Sequence, residues 1–221
     1  MFRWLPHLVV LLPLCATTAS GAVPAGTGTE TTNAAGVARL RTFLTDVQGL
    51  EAGFHQKVID SRQQVLEDAS GSVVMQRPGR FRWNYQAPFE RVIVSDGEKV
   101  WLYEADLAQV TIRRLTAGIG DTPAALLTGK EAVLERFTVE RSWIEDGLTL
   151  VRLKPRSADS DFAGVTLGFD GPGLRRILLD DRLGQQTRID FTDVRTNPQL
   201  SPEVFRFQPP PGADVIDDSD L

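Results

Sequence analysis

The sequence predicts a mainly β protein, an incomplete, half-open antiparallel β-barrel of roughly ten or eleven strands with helices gathered on one side. Two observations carry this. After Gly49 apolar residues alternate with period two along most of the chain, the pattern of strands that bury one face. Short Asp-Gly and Gly-Pro-Gly signals separate those runs, at Asp96-Gly97, Asp146-Gly147 and Gly171-Pro172-Gly173. Asp and Gly tolerate the positive φ of tight hairpin turns, so successive runs pair as an antiparallel meander.

The chain opens with Met1-Phe2-Arg3 and an apolar run from Leu5 to Leu14, followed by small residues up to Ala22. A run of this length is shorter than the ~20 apolar residues a membrane span needs, so residues 1–22 read as a secretory signal peptide cut after Ala22. Cys15 leaves with it, and Leu14 stands where a lipoprotein signal wants a small residue. Residues 23–32 are Gly, Ala, Thr and Pro with one charge, a composition that buries little and predicts a flexible segment. The single domain then covers 33–221. Asn33 stands as a helix cap, and Val37, Leu40, Leu44 and Val47 recur at helical spacing, which predicts an amphipathic helix over 34–48.

Strands follow at Phe54/Val58, Val73/Met75, Phe81/Trp83, Val92/Val94, Lys99 to Tyr103, Val110/Ile112, Phe137/Val139, Val165/Leu167/Phe169, Ile189/Phe191 and Phe205/Phe207. The segment Lys99 to Tyr103 is apolar on both faces and needs cover on both, or an interior that holds something besides its own side chains. Between Thr116 and Glu135 the alternation stops. There Asp121-Thr122 precedes Pro123-Ala124-Ala125-Leu126-Leu127, ending before Gly129, with Pro and Gly placed as at the start and end of a short helix. Its leucines have to bury against the sheet, so both helices would cover one mouth of the barrel.

Of 24 basic and 29 acidic side chains only Arg3 leaves with the signal, so the mature formal charge is about −6, which argues against nucleic acid and anionic membrane surfaces. Without Cys15 there is no disulfide and no thiol nucleophile. The mature chain has one histidine, His55, in a strand where a surface position is the ordinary reading. No ligand cluster for zinc or calcium and no phosphate-binding loop is present, so no cofactor is expected. Asp180 and Asp181, adjacent on a strand, point to opposite faces and cannot flank one glycosidic bond; Asp217 and Asp218 read as an acidic tail. The chain is not expected to be an enzyme.

The segment from Gln76 to Trp83 is the most informative. Phe81, Trp83 and Tyr85 share one strand face, while Arg80, Arg82 and Asn84 share the other, read as solvated. Arg77 precedes Pro78 at the strand's start, where its guanidinium could donate to several backbone carbonyls across a mouth; an ordinary surface arginine is the plainer alternative.

In order, the signal peptide, the amphipathic helix, Phe54-His55-Gln56-Lys57, Arg77-Pro78, Phe81-x-Trp83, Val94-Ser95-Asp96-Gly97, Trp101-x-Tyr103, Thr122-Pro123 and Phe205-x-Phe207-x-Pro209-Pro210-x-Gly212 resemble the LolA family of periplasmic outer-membrane lipoprotein carriers. The resemblance implies an incomplete eleven-stranded barrel with a helical lid. It also implies triacylated lipoproteins as cargo, an inner-membrane ABC transporter of the LolCDE type as donor, the outer-membrane receptor LolB as acceptor, and a monomer in the periplasm. Carried over by position, the latch arginine falls on Arg77, the lid carbonyls it holds near Leu127 and Thr128, with Ile93 on the neighbouring strand, and the acyl-chain cavity on Phe81, Trp83, Leu126 and Leu127. The chain departs from the family in the small lid residues Ala124 and Ala125 and in a short acidic tail where some members add a strand. A periplasmic sensor that binds acyl chains or peptides with the same half-barrel is the alternative; it would carry a second domain or an anchor, which this sequence does not show.

Overall fold

The structure, a computed structural model, describes residues 27–115, 127–129 and 131–219. A helix, α1 (Thr27–Asp46), leads into β1 (Gly49–Ile59), β2 (Val65–Gln76), β3 (Arg80–Ala87), β4 (Arg91–Asp96), β5 (Lys99–Glu104) and β6 (Gln109–Arg114). A 3-10 turn, Glu131–Arg136, then precedes β7 (Phe137–Glu145), β8 (Leu148–Pro155), β9 (Phe162–Asp170), β10 (Gly173–Asp181), β11 (Gln186–Thr196) and β12 (Asp214–Asp217). All twelve described strands form one open sheet in the order β12-β6-β5-β4-β3-β2-β1-β11-β10-β9-β8-β7. Two antiparallel meanders, β1 to β6 and β7 to β11, are therefore joined along β1 and β11. β6 and β7 lie towards opposite ends of that order, and the stretch Leu127–Gly129 of the chain between them lies beside Arg77.

Period two sorts the side chains as the alternation predicts. On one face Leu50, Ala52 and Phe54 of β1 lie beside Met75 and Val73 of β2, Phe81, Trp83 and Tyr85 of β3, and Phe191 and Ile189 of β11, all buried in one apolar core. The other face of β7 to β11 carries ion pairs: Arg152 reaches Asp180 at 2.5 Å and Glu140 at 3.0 Å, and Arg176 and Arg188 flank Asp190 at 2.7 and 2.6 Å. Burial works to raise the Asp190 carboxyl, but hydrogen bonds from Arg188 and Arg176 outweigh it and hold the group below the usual aspartate range. Asp180 and Asp181 both serve the fold, Asp180 as a partner of Arg152 and Asp181 by accepting the Leu183 and Gln185 N–H groups of the β10–β11 turn.

Five features depart from the sequence reading. The helix starts at Thr27, inside the stretch expected to be flexible, and Asn33 is not its cap. The Asn33 Oδ1 instead accepts the Ser142 N–H of strand β7 at 2.6 Å. Phe205 and Phe207 are not a strand: Pro202–Phe205 is a 3-10 turn capped by Ser201. Arg82 is not a solvated arginine. Half-buried, it donates to the Val204 and Arg206 carbonyls, both at 3.4 Å, and desolvation lowers its pKa. Finally, the acidic tail supplies a twelfth strand, β12, parallel to β6, whose end is tied by the Lys99 ammonium to the Ser219 hydroxyl at 2.9 Å.

The C-terminal turn answers the two-faced strand. Val94 pairs across to Trp101, which pairs with Ile112, and Val92 to Tyr103, which pairs with Val110. This outer apolar row is covered by the segment holding Phe205, 2 % exposed, with the Phe207 ring 6.0 Å from Tyr103. The inner side of β5, Val100 and Leu102, stays half-buried.

Candidate functional site

The end of α1 needs help that its own sequence lacks. The last carbonyls of a helix have no intrahelical donors and carry the negative end of its dipole, and the last turn of α1 holds no basic residue. Arg77, at the β2–β3 turn, supplies both charge and donors. Its Nη1 donates to the Phe43 carbonyl at 3.2 Å and to the Val47 carbonyl, and its plane lies 4.9 Å over the Phe43 ring. Its Nε donates to the Gly129 carbonyl at 2.6 Å. One side chain thus ties the helix and the Leu127–Gly129 segment to the same strand turn.

Backbone bonds reinforce the junction: the Arg77 N–H donates to the Gln48 carbonyl at 2.8 Å and the Gly79 N–H to the Thr128 carbonyl at 3.1 Å. Arg77 is only 6 % exposed, and burial brings its pKa down to about 10, so the group remains a cation at neutral pH. Its Nη2 is buried without a hydrogen-bond partner among the described residues. A buried, incompletely paired cation costs several kcal/mol in a low-dielectric surrounding, roughly what two or three charge-assisted bonds return. The tie is therefore close to balanced.

The structure brings most of the site residues together. Arg77, Leu127 and Thr128 meet at one end of the apolar face; Leu127 is buried in the main core with Phe81 and Trp83, and Thr128 is buried beside it. The Ile93 side chain stands opposite Trp83 on the same face, partly buried and packed against that core. The carbonyl bonded to the Arg77 side chain belongs to Gly129, whereas that of Thr128 goes to Gly79. Ala124, Ala125 and Leu126 lie outside the described residues. Sequence reasoning missed Phe43 and Val47, whose carbonyls complete the Arg77 cage; the helical spacing from Leu40 to Phe43 was the available signal.

Below Arg77 the apolar face is aromatic. The Phe54 ring meets Trp83 edge-on at 4.8 Å and Tyr85 at 5.0 Å, and Trp83 lies 6.1 Å from Phe191. Gly71, on β2 between Phe54 and Tyr85, makes room for this: a Cβ there would overlap the Asn84 carbonyl oxygen and crowd the Phe54 ring. His55 points the other way, exposed and bonded to Asp68 at 2.6 Å.

Residues 45–208 match the family described as outer membrane lipoprotein carrier protein LolA. The chain belongs to the LolA family. Outer-membrane lipoprotein carrier proteins of Nitrosospira multiformis and Methylococcus capsulatus are each 41% identical to it, the first over 85% of this chain and 91% of its own length, the second over 96% and 97%. A crystal structure of an uncharacterized conserved protein from Thermus thermophilus shares the fold at TM-score 0.51 and 15% identity, covering 83% of this chain and 98% of that one. LolA proteins are carriers rather than enzymes. The family match takes in Arg77, the aromatic face and Phe207, and leaves most of α1 before its first residue.

Proposed function

We propose that this chain is a periplasmic carrier of acylated lipoproteins, exported by residues 1–22, which accepts its cargo as a monomer from an inner-membrane ABC transporter of the LolCDE type and delivers it to a receptor of the LolB type. The observation that carries the reading is the single buried guanidinium of Arg77, which holds both α1 and the Leu127–Gly129 segment at the end of an apolar, aromatic sheet face. Each acyl methylene exposed to water costs about 0.8 kcal/mol, so several bare chains would cost tens of kcal/mol in the aqueous periplasm. Apolar surface under a cover that opens removes that cost.

In this reading the Arg77 bonds favour the closed, empty protein. Entering chains replace Leu127 and its neighbours against Phe81, Trp83 and Ile93, and the broken bonds to Gly129 and the helix end lower the net affinity. The cargo then leaves downhill for a receptor without such a latch. Incubation of the mature protein with membranes that hold the transporter tests the proposal. A triacylated lipoprotein should appear in the soluble fraction in complex with this chain; lipoprotein that stays in the membrane at saturating carrier overturns it.

A further inference from the structure

The apolar face ends in a polar basin at the edge away from Arg77. A pocket of about 330 Å³ opens there, floored by Ala69 and Tyr85 and rimmed by Leu66 and Phe89, which are 57 % and 68 % exposed. Tyr85 shares its strand face with Trp83 and pairs across to Arg91, so the Arg91 side chain emerges on the same face at the next position along. The Arg91 guanidinium lies 4.1 Å over the Tyr85 ring and its Nη2 reaches Glu67 Oε1 at 3.4 Å. Gln56 joins Glu67 at 3.3 Å and accepts the Tyr85 hydroxyl at 3.2 Å. Within this network the Arg91 Nε is buried with no acceptor among the described residues.

A buried N–H on a cation is costly to leave unmade, and the side chain that carries it lines the pocket with 32 % of its surface exposed. The surroundings say which oxygen. Glu67, Asp68, Glu90, Glu104 and Asp106 all line the pocket against the one arginine, so phosphate and carboxylate would be repelled. A neutral carbonyl attached to hydrocarbon fits both halves of the site, its chain running along Tyr85 and Trp83 and its oxygen at Arg91.

We propose that this pocket is a subsite for the ester or amide carbonyl that links an acyl chain to its carrier molecule, with the partly exposed Arg91 guanidinium as donor; the proposal rests on the acyl-carrier reading above. Arg91 sets where along the sheet the linkage sits, and so how far the chains reach towards Arg77. At about 3.3 Å per strand residue, Tyr85 lies roughly 17 Å along β3 from Arg80, a span on the scale of an acyl chain.

The test compares a synthetic lipopeptide bearing ester-linked acyl chains with its ether-linked analogue of equal chain length, which keeps the hydrocarbon and lacks the carbonyls. The wild-type protein should bind the ester form about tenfold more tightly, equivalent to ~1.4 kcal/mol, and Arg91→Met should bind both forms alike at the ether affinity. Equal binding of the two lipopeptides by the wild type overturns the subsite, whether or not the variant folds. So does a tenfold preference that survives in Arg91→Met. If the wild type binds neither lipopeptide, the carrier reading itself fails and the subsite falls with it, a result separate from loss of discrimination.

Discussion

Arg77 meets Phe43 twice, through a hydrogen bond to its carbonyl at 3.2 Å and by stacking 4.9 Å above its ring. The end of α1 is thus fastened by a residue 34 positions later that also holds Gly129. Releasing the Leu127–Gly129 segment and loosening the helix end are one event in this geometry.

Replacement of Arg77 by Leu removes that coupling. The loss of three carbonyl partners and the relief of a buried cation oppose each other, so the global stability should change by less than about 2 kcal/mol. Amide exchange at Val47 and Gly79, whose bonds frame the junction, should quicken by roughly tenfold or more. Loading should persist while handover to the receptor falls, because nothing then favours the empty closed state. Exchange mass spectrometry with a two-step transfer assay checks this; unchanged transfer refutes the latch.

How much of this was legible beforehand differs by element. Period two located the strands, because each buries one face. It also singled out Phe81, Trp83 and Tyr85, while Arg77 stood apart by its place before Pro78. The two-sided strand Lys99–Glu104 announced a need for cover but not its source, since Phe205 and Phe207 alternate like a strand and yet pack as a 3-10 turn with its tail. Asn33 read as a cap because local sequence cannot show that the edge strand's Ser142 N–H lies beside it. The Arg91 basin depends on the register Tyr85 to Arg91 and on Gln56 arriving from β1, relations that only the folded sheet creates.

The outer core predicts a second result. Phe205, 2 % exposed, covers Val92 and Val94 on the face away from the aromatic row. Phe205→Ala should cost about 3–5 kcal/mol, the usual loss for a buried phenylalanine. Urea titration measures the loss, and lipopeptide affinity measured on the folded variant should stay within about twofold of wild type, since distant sites act independently.

At Gly71 the constraint is backbone to backbone, so no rotamer change can relieve it. Gly71→Ala should destabilise the protein by about 2 kcal/mol or more and shift the near-ultraviolet signal of Trp83 and Tyr85, since the β2–β3 approach has to widen. A neutral melting temperature in calorimetry would refute this.

Asp190 gives a pH dependence with a definite sign. Its folded-state pKa lies below the ordinary 3.8, set by Arg188 and Arg176 against the opposing effect of burial. Its contribution to stability is therefore complete above that ordinary value and is lost as pH falls through the lower folded value. Asp190→Asn should be less stable than wild type at neutral pH, and the gap between their melting temperatures should close on acidification towards about pH 2. A gap that stays constant across that window would show that the ion pairs flanking Asp190 do not stabilise the fold.

Leu127 offers the most direct access to the segment that Arg77 holds. It is 3 % exposed and packed in the main core, yet it belongs to no strand, so its segment can leave without breaking the sheet. A carboxylate there faces two choices: desolvation in the core, at several kcal/mol, or expulsion of the segment into water, which gives up the packing of Leu127 and Thr128 and the bonds from Arg77 and Gly79. The second leaves every strand pairing in place. Leu127→Asp should therefore keep the sheet, expose the aromatic face, and retain roughly tenfold less lipoprotein or lower still, because the displaced segment no longer closes over hydrocarbon. Co-purification of an acylated lipoprotein with the variant, beside a circular dichroism spectrum of the sheet, measures both halves, and undiminished retention would place Leu127 outside the binding surface.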